Sequence, residues 1–148
     1  MAVQTNLTNS VLPFFLEGEV FGTASAVIEQ DAARTTDLVQ FTLMGQKAAN
    51  RKWVPFTSLT ATDGTAARFG IYTGDDIAAA DLVAGDVTDM PMVTVGSGTP
   101  FDQGRLVIEN SLTLNSVIAD GINTRTVGAA LELQGLIPEV AIRIDTTS

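Results

Sequence analysis

The sequence contains no cysteine and no histidine. The first absence excludes disulfides, thiolate nucleophiles and zinc–cysteine sites, and it leaves the redox compartment open. The second removes the commonest general base and the commonest transition-metal ligand. Together they close most routes to hydrolysis or redox chemistry, so the expectation is a protein that is not an enzyme and that uses no cofactor and no metal. Basic residues are also scarce: 8 Lys and Arg stand against 17 Asp and Glu, a formal net charge of −9. That argues against nucleic acid, whose phosphates demand clustered cations, and against an anionic membrane surface. No run approaches the roughly 18 apolar residues of a membrane span. The N-terminus lacks a basic leader, and the apolar run at 11–16 is too short and too polar at its flanks for a signal sequence. The expected site of synthesis is the cytoplasm, with export only as part of an assembly.

What is present is a chain of 148 residues, 45% apolar and only 17% charged, the length of one domain. Such a chain buries about 68–70% of its unfolded surface without covalent staples. Thr, Val and Ile make up 42 of the residues, a composition that suits pleated surfaces better than helical bundles. The expected class is therefore mainly β (α+β), with one or two short helices. Residues 1–13 read as a flexible N-terminal arm, small and polar without a sustained period, and 14–148 as a single β-rich domain. Strands are expected within 14–30, at 38–43 (Val39, Phe41 and Leu43 on one face), at 52–57, at 69–72, at 92–95 and at 105–109. Turns are expected at 44–50 and 62–65. Pro55 cannot donate to a ladder, which places its strand at an edge or beside a bulge. Within 74–85 a short helix is expected, with Asp75 as cap and Gly85 as terminator. Thr124 or Thr126 can cap a helix that Gly135 ends; a hairpin turning at Gln134-Gly135 competes with it. After Pro138, the alternation of Val140, Ile142 and Ile144 reads as a half-buried terminal strand.

Few constellations carry chemistry. Asp75, Asp76, Asp81, Asp86 and Asp89 offer oxygen ligands, but the D-x-D-x-D-G spacing of a calcium loop is missing. The run at 95–100 (VGSGTP) does not complete a phosphate-binding glycine pattern, because Phe101 occupies the third glycine's place. Serine and threonine have no histidine to activate them, and no S-x-x-K is present. The charge, however, is uneven. Residues 1–60 sum to −1 and residues 61–148 to −8, so Lys47, Arg51 and Lys52 form a basic island on an acidic chain. An island of this kind is either a solvated hairpin tip or a contact for an acidic partner surface.

One stretch is more specific. Asn50-Arg51-Lys52-Trp53-Val54-Pro55-Phe56 is followed by Thr62-Asp63-Gly64-Thr65-Ala66 and then Gly70-Ile71. The pattern of a basic pair, an apolar–aromatic strand, T-D-G-x-A and Gly-Ile resembles the head-decoration (capsid cement) proteins of tailed bacteriophages, the lambda-like decoration family. Pro91-Met92-Val93 and Phe101-Asp102 with Arg105-Leu106-Val107-Ile108 extend the resemblance over roughly 38–110. The insertion of Ala67-Arg68-Phe69 and the longer C-terminal unit depart from it. The resemblance implies a compact β-rich virion protein on the outer surface of the expanded head. Its partners would be the major capsid protein and two further copies of itself in a homotrimer, with neither nucleic acid nor membrane involved. It implies an arm that adds to a capsid strand, here with Val3, Leu7, Val11 and Leu12 as contact residues. The basic island supplies Lys47, Arg51 and Lys52 as capsid or trimer contacts, and Trp53 and Phe56 belong to the core or the trimer seam. A receptor- or glycan-binding β module of a phage tail or fibre is the alternative, which exposed aromatics around Trp53 or Phe101 would favour.

Overall fold

The computed structural model describes residues 13–16, 23–119 and 124–140. The arm residues Val3, Leu7, Val11 and Leu12, and the terminal strand positions Ile142 and Ile144, lie outside the described residues. The elements in chain order are β1 (Thr23–Ile28), β2 (Leu43–Gln46), β3 (Trp53–Pro55), β4 (Phe69–Tyr72), helix α1 (Ala79–Ala84), β5 (Val87–Val93), β6 (Thr99–Asp102), β7 (Val117–Ala119), β8 (Thr124–Thr126), helix α2 (Val127–Leu133) and β9 (Leu136–Glu139). With 36% strand and 11% helix, the class is mainly β.

Five strands close into a small barrel in the order β1-β3-β2-β4-β5. All neighbours are antiparallel except β1 and β3, which meet in parallel at a single register pair, Ile28 with Trp53. Pro55 explains why that seam is so short. The Glu29 N–H donates to the Trp53 carbonyl at 2.9 Å. The next parallel bond would come from the amide of residue 55, and proline has none. Pro55 therefore lies in a strand with neighbours on both sides, not at the barrel's edge, and it ends the parallel pairing where it occurs.

Side chains alternate across the barrel wall. Ala26, Ile28, Met44, Trp53, Tyr72 and Met92, drawn from all five strands, form one core with Leu38, Ile77 and Leu82. Because β1 also pairs with β5, the shared face of the five strands is a closed interior. The opposite faces of β2, β4 and β5 contribute Leu43, Phe69, Ile71 and Val93 to a second core, closed by Phe14, Phe101, Ile118, α2 and Leu136. Gly70 faces the interior, where a Cβ would stand 2.8 Å from both Met92 Cγ and Trp53 Cζ3; the indole takes the space a side chain would need. Gly45 faces outward, and there it is Thr65 of the T-D-G-x-A turn that leaves no room for a Cβ.

Three expectations are corrected. The run 38–43 is not a strand. Phe41 sits in the left-handed region at φ 68°, which breaks the extended run, and β2 begins only at Leu43 and runs on to Gln46, into what was expected to be a turn. Phe41 is held there by its N–H to the Tyr72 carbonyl (2.7 Å) and by the Val107 N–H to its own carbonyl (2.9 Å). The run 105–109 makes only an isolated bridge, Thr42 with Val107, because turn bonds at Arg105 and Leu106 and left-handed Asn110 and Ser111 confine it. The paired strand in this region is instead β6, which begins inside the glycine-containing run at 95–100 and lies parallel to β9. Finally, Asp75 does not cap α1. The Ala79 N–H donates to the Asp37 carboxylate at 3.0 Å, a cap supplied from 42 residues away that no local pattern reveals. Gly85 does end α1.

The C-terminal ambiguity is resolved as a helix. The Thr126 hydroxyl accepts the Ala129 N–H at 3.1 Å, an N-cap worth about 1 kcal/mol, and Gly135 follows at φ 81°. Gln134 then docks this unit on the barrel. Its Oε1 accepts the Phe69 N–H (2.9 Å), and its Nε2 donates to the carbonyls of Phe69 and Thr94 (2.7 Å each). At the other end of the chain, Phe14–Leu16 runs antiparallel along β6, with Leu16 N–H to the Pro100 carbonyl and Asp102 N–H to the Phe14 carbonyl. Phe14 stacks on Phe41 with ring centroids 4.0 Å apart, and the Arg105 guanidinium lies over both rings.

Candidate interaction surface

The basic island is the β2–β3 connection, and the fold treats its three cations differently. The Lys47 ammonium pairs with Glu29, and Lys52 pairs with Asp86 at 2.6 Å. Asn50 adds a 3.0 Å bond to Glu29, and the Gln30 N–H donates to Asp86 at 2.8 Å. These bonds hold both carboxyls below the usual carboxylate range: the Lys47 hydrogen bond is the main cause at Glu29 and the Lys52 hydrogen bond at Asp86. Lys52 is raised in turn by Asp86. The network spans the short parallel seam, so these lysines fasten the barrel where its ladder is weakest.

Arg51 is exposed and makes no ion pair among the described residues. Beside it stands Arg68, likewise exposed and without an ion-pair partner among the described residues, which the sequence pattern did not single out as a contact. The β2–β4 pairing brings the two together: the Gln46 N–H donates to the Arg68 carbonyl (3.0 Å), and the Gln46 side-chain amide donates to the Arg51 carbonyl (3.0 Å). Both arginines line two shallow clefts, one of about 470 Å³ at the barrel mouth with Trp53 and Met92 in its floor, the other of about 230 Å³ beside Gly64 and Ala67. The only sequence signal for Arg68 was the insertion that contains it.

Trp53 and Phe56 are core residues, 4% and 0% exposed, and Phe101 is fully buried. None of the three forms the exposed aromatic platform that a glycan-binding module would need. A further cleft of about 370 Å³ contains Glu29, Asp31 and Glu109 with Arg34 and Lys47. Glu29 is committed to Lys47, and Glu109 takes a bidentate pair from Arg34 at 2.7 and 2.5 Å. Three aspartates of the 75–89 segment serve the fold: Asp76 accepts the Gln40 N–H, Asp86 pairs with Lys52 and Asp89 accepts the Ser25 hydroxyl. Among the described residues no group of three or more acidic side chains is placed to hold a metal ion, and no helix is long and apolar enough to cross a membrane.

No family model, no curated protein and no solved structure matches the chain.

Proposed function

We propose that this protein is a virion structural protein that binds the outside of an expanded phage head as trimers and cements the capsid. The observation that carries the reading is that the residues of the resemblance act as one unit. Trp53 opens β3 directly after the basic pair, the T-D-G-x-A turn lays Thr65 against Gly45, and Gly70 admits the indole to the barrel interior. The pattern therefore follows the packing of a particular barrel and is not a scatter of common residues. Support also comes from Phe14–Leu16, whose pairing with β6 anchors the chain next to the proposed arm, which would bind by adding to a capsid strand. Ordering such an arm costs about 1–2 kcal/mol per residue, which three arms per trimer offset through effective concentration. An acidic exterior also discourages adhesion to free nucleic acid.

The test is co-sedimentation of the purified protein with compact and expanded heads of its phage. Saturable binding to expanded heads alone, in multiples of three per site, is the expected result; binding to neither form ends the proposal. Deleting residues 2–12 is expected to abolish binding while leaving the fold intact, and undiminished binding would remove the arm from the mechanism.

A further inference from the structure

Two exposed guanidiniums on a protein of net charge −9 could each have been neutralised internally, as Lys47, Lys52 and Arg34 are. Among the described residues Arg51 and Arg68 are not, and the backbone that presents them is unusually constrained. Arg51 sits in the left-handed region at φ 62°, a conformation that costs a non-glycine residue about 1–2 kcal/mol and that clusters at functional positions. It is kept there by its N–H to the Lys47 carbonyl (3.0 Å), by the Gln46 amide on its carbonyl (3.0 Å), and by the Asn50 side chain accepting the Lys52 N–H (3.0 Å). Arg68 is fixed by its N–H to the Gly64 carbonyl (3.2 Å) and by the Gln46 N–H on its own carbonyl. A single residue, Gln46, thus clamps both arginine backbones, so little backbone entropy remains to be lost on binding.

We infer that Arg51 and Arg68, clamped by Gln46 at the barrel mouth, form a preorganised oxyanion-binding pair that takes a carboxylate-bearing segment of a protein partner. The forked guanidinium matches a carboxylate bidentately, and the two adjoining clefts give an extended chain room on either side. A carboxylate is favoured over a nucleic acid phosphate because the rest of the molecule repels a polyanion, whereas a short acidic segment interacts mainly within one Debye length of the pair. Identifying the partner as the major capsid protein rests on the decoration reading; the pair itself does not. Lys47 and Lys52, already neutralised, serve the barrel seam and not this contact.

The experiment uses the full chain and a fluorescein-labelled glutamate-rich peptide, read by anisotropy at low and physiological salt, with a duplex oligonucleotide of equal charge as the second probe. The expected result is salt-sensitive peptide binding that weakens about tenfold in Arg68→Ser and further in Arg51→Asn/Arg68→Ser. Asparagine at 51 tolerates the left-handed backbone, so the variants should keep the parent's unfolding midpoint. Arg51→Lys/Arg68→Lys, which retains charge but loses the fork, should fall between. Equal peptide affinity in parent and double variant overturns the proposal. Tighter binding to the oligonucleotide than to the peptide overturns the assignment to an acidic protein segment. In co-sedimentation, parent protein that binds expanded heads and a double variant that binds equally well refute the capsid as the pair's partner while leaving the decoration reading standing. Parent protein that binds the peptide through the pair but no head refutes the decoration reading alone.

Discussion

Gly70→Ala adds one methyl group to the interior of the barrel. Its Cβ would stand 2.8 Å from Met92 Cγ and 2.8 Å from Trp53 Cζ3, well inside ordinary carbon–carbon contact. Neither neighbour can retreat easily, since Trp53 and Met92 are 4% and 1% exposed and packed against one another's surroundings. Overpacking of this kind costs about 1–3 kcal/mol, while the loss of glycine's unfolded-state freedom returns about 0.4–1 kcal/mol. The net expectation is a destabilisation of about 1–2 kcal/mol. For a domain of this size it lowers the melting temperature by about 2–8 °C, at roughly 2–4 °C per kcal/mol. Gly85→Ala is the matched control. Gly85 has an extended backbone (φ 172°) and open space where the Cβ would lie, so only the entropic gain of about 0.4–1 kcal/mol should remain. Urea denaturation with a constant m-value reads both. A Gly70→Ala protein at least as stable as the parent would refute the claim that the indole and the missing side chain share one space. In the double variant Gly70→Ala/Met92→Ala the steric part of the penalty should shrink, a coupling that independent sites would not display.

Gln134→Ala leaves the Phe69 amide and two carbonyls without their partner; at about 1 kcal/mol per bond it should cost about 2–3 kcal/mol, measured by chemical denaturation. Glu109→Gln breaks the bidentate pair with Arg34, whose side chain is only 8% exposed; a loss of about 1–3 kcal/mol is expected, and the loop at 31–37 should become more accessible in hydrogen exchange. The pH profile follows from three depressed carboxyls: Glu29 and Asp86 through their lysine hydrogen bonds and Asp63 through Thr65. A carboxyl whose folded value lies below its unfolded value near 4 stabilises fully above that value. Its contribution is lost as pH falls through the folded value, so the urea midpoint should fall below about pH 4. With no histidine to titrate, the midpoint should be flat from about pH 6 to 8; a step in that window would contradict the assignment.

Threonine and valine abundance, the missing cysteine and histidine, and the short apolar runs settle by themselves that the chain builds a β-rich domain without covalent staples or imidazole chemistry. These are properties of composition and of period-two patterning, and they survive any tertiary arrangement. Local cues that rest on neighbours in sequence were equally legible: Gly85 ending α1, and Thr126 and Gly135 bounding α2. Pro55 was legible only in part. Its missing donor is visible in the sequence, but whether that empties an edge or truncates an interior seam depends on which strand lies alongside. The cap of α1 by Asp37, the left-handed kink at Phe41 and the bond that ties Gln46 to Arg68 depend on contacts between residues far apart in sequence. No local period encodes such contacts. The basic island likewise divides only in three dimensions, because Glu29 and Asp86 reach the two lysines through barrel closure, while Arg51 and Arg68 are left facing outward.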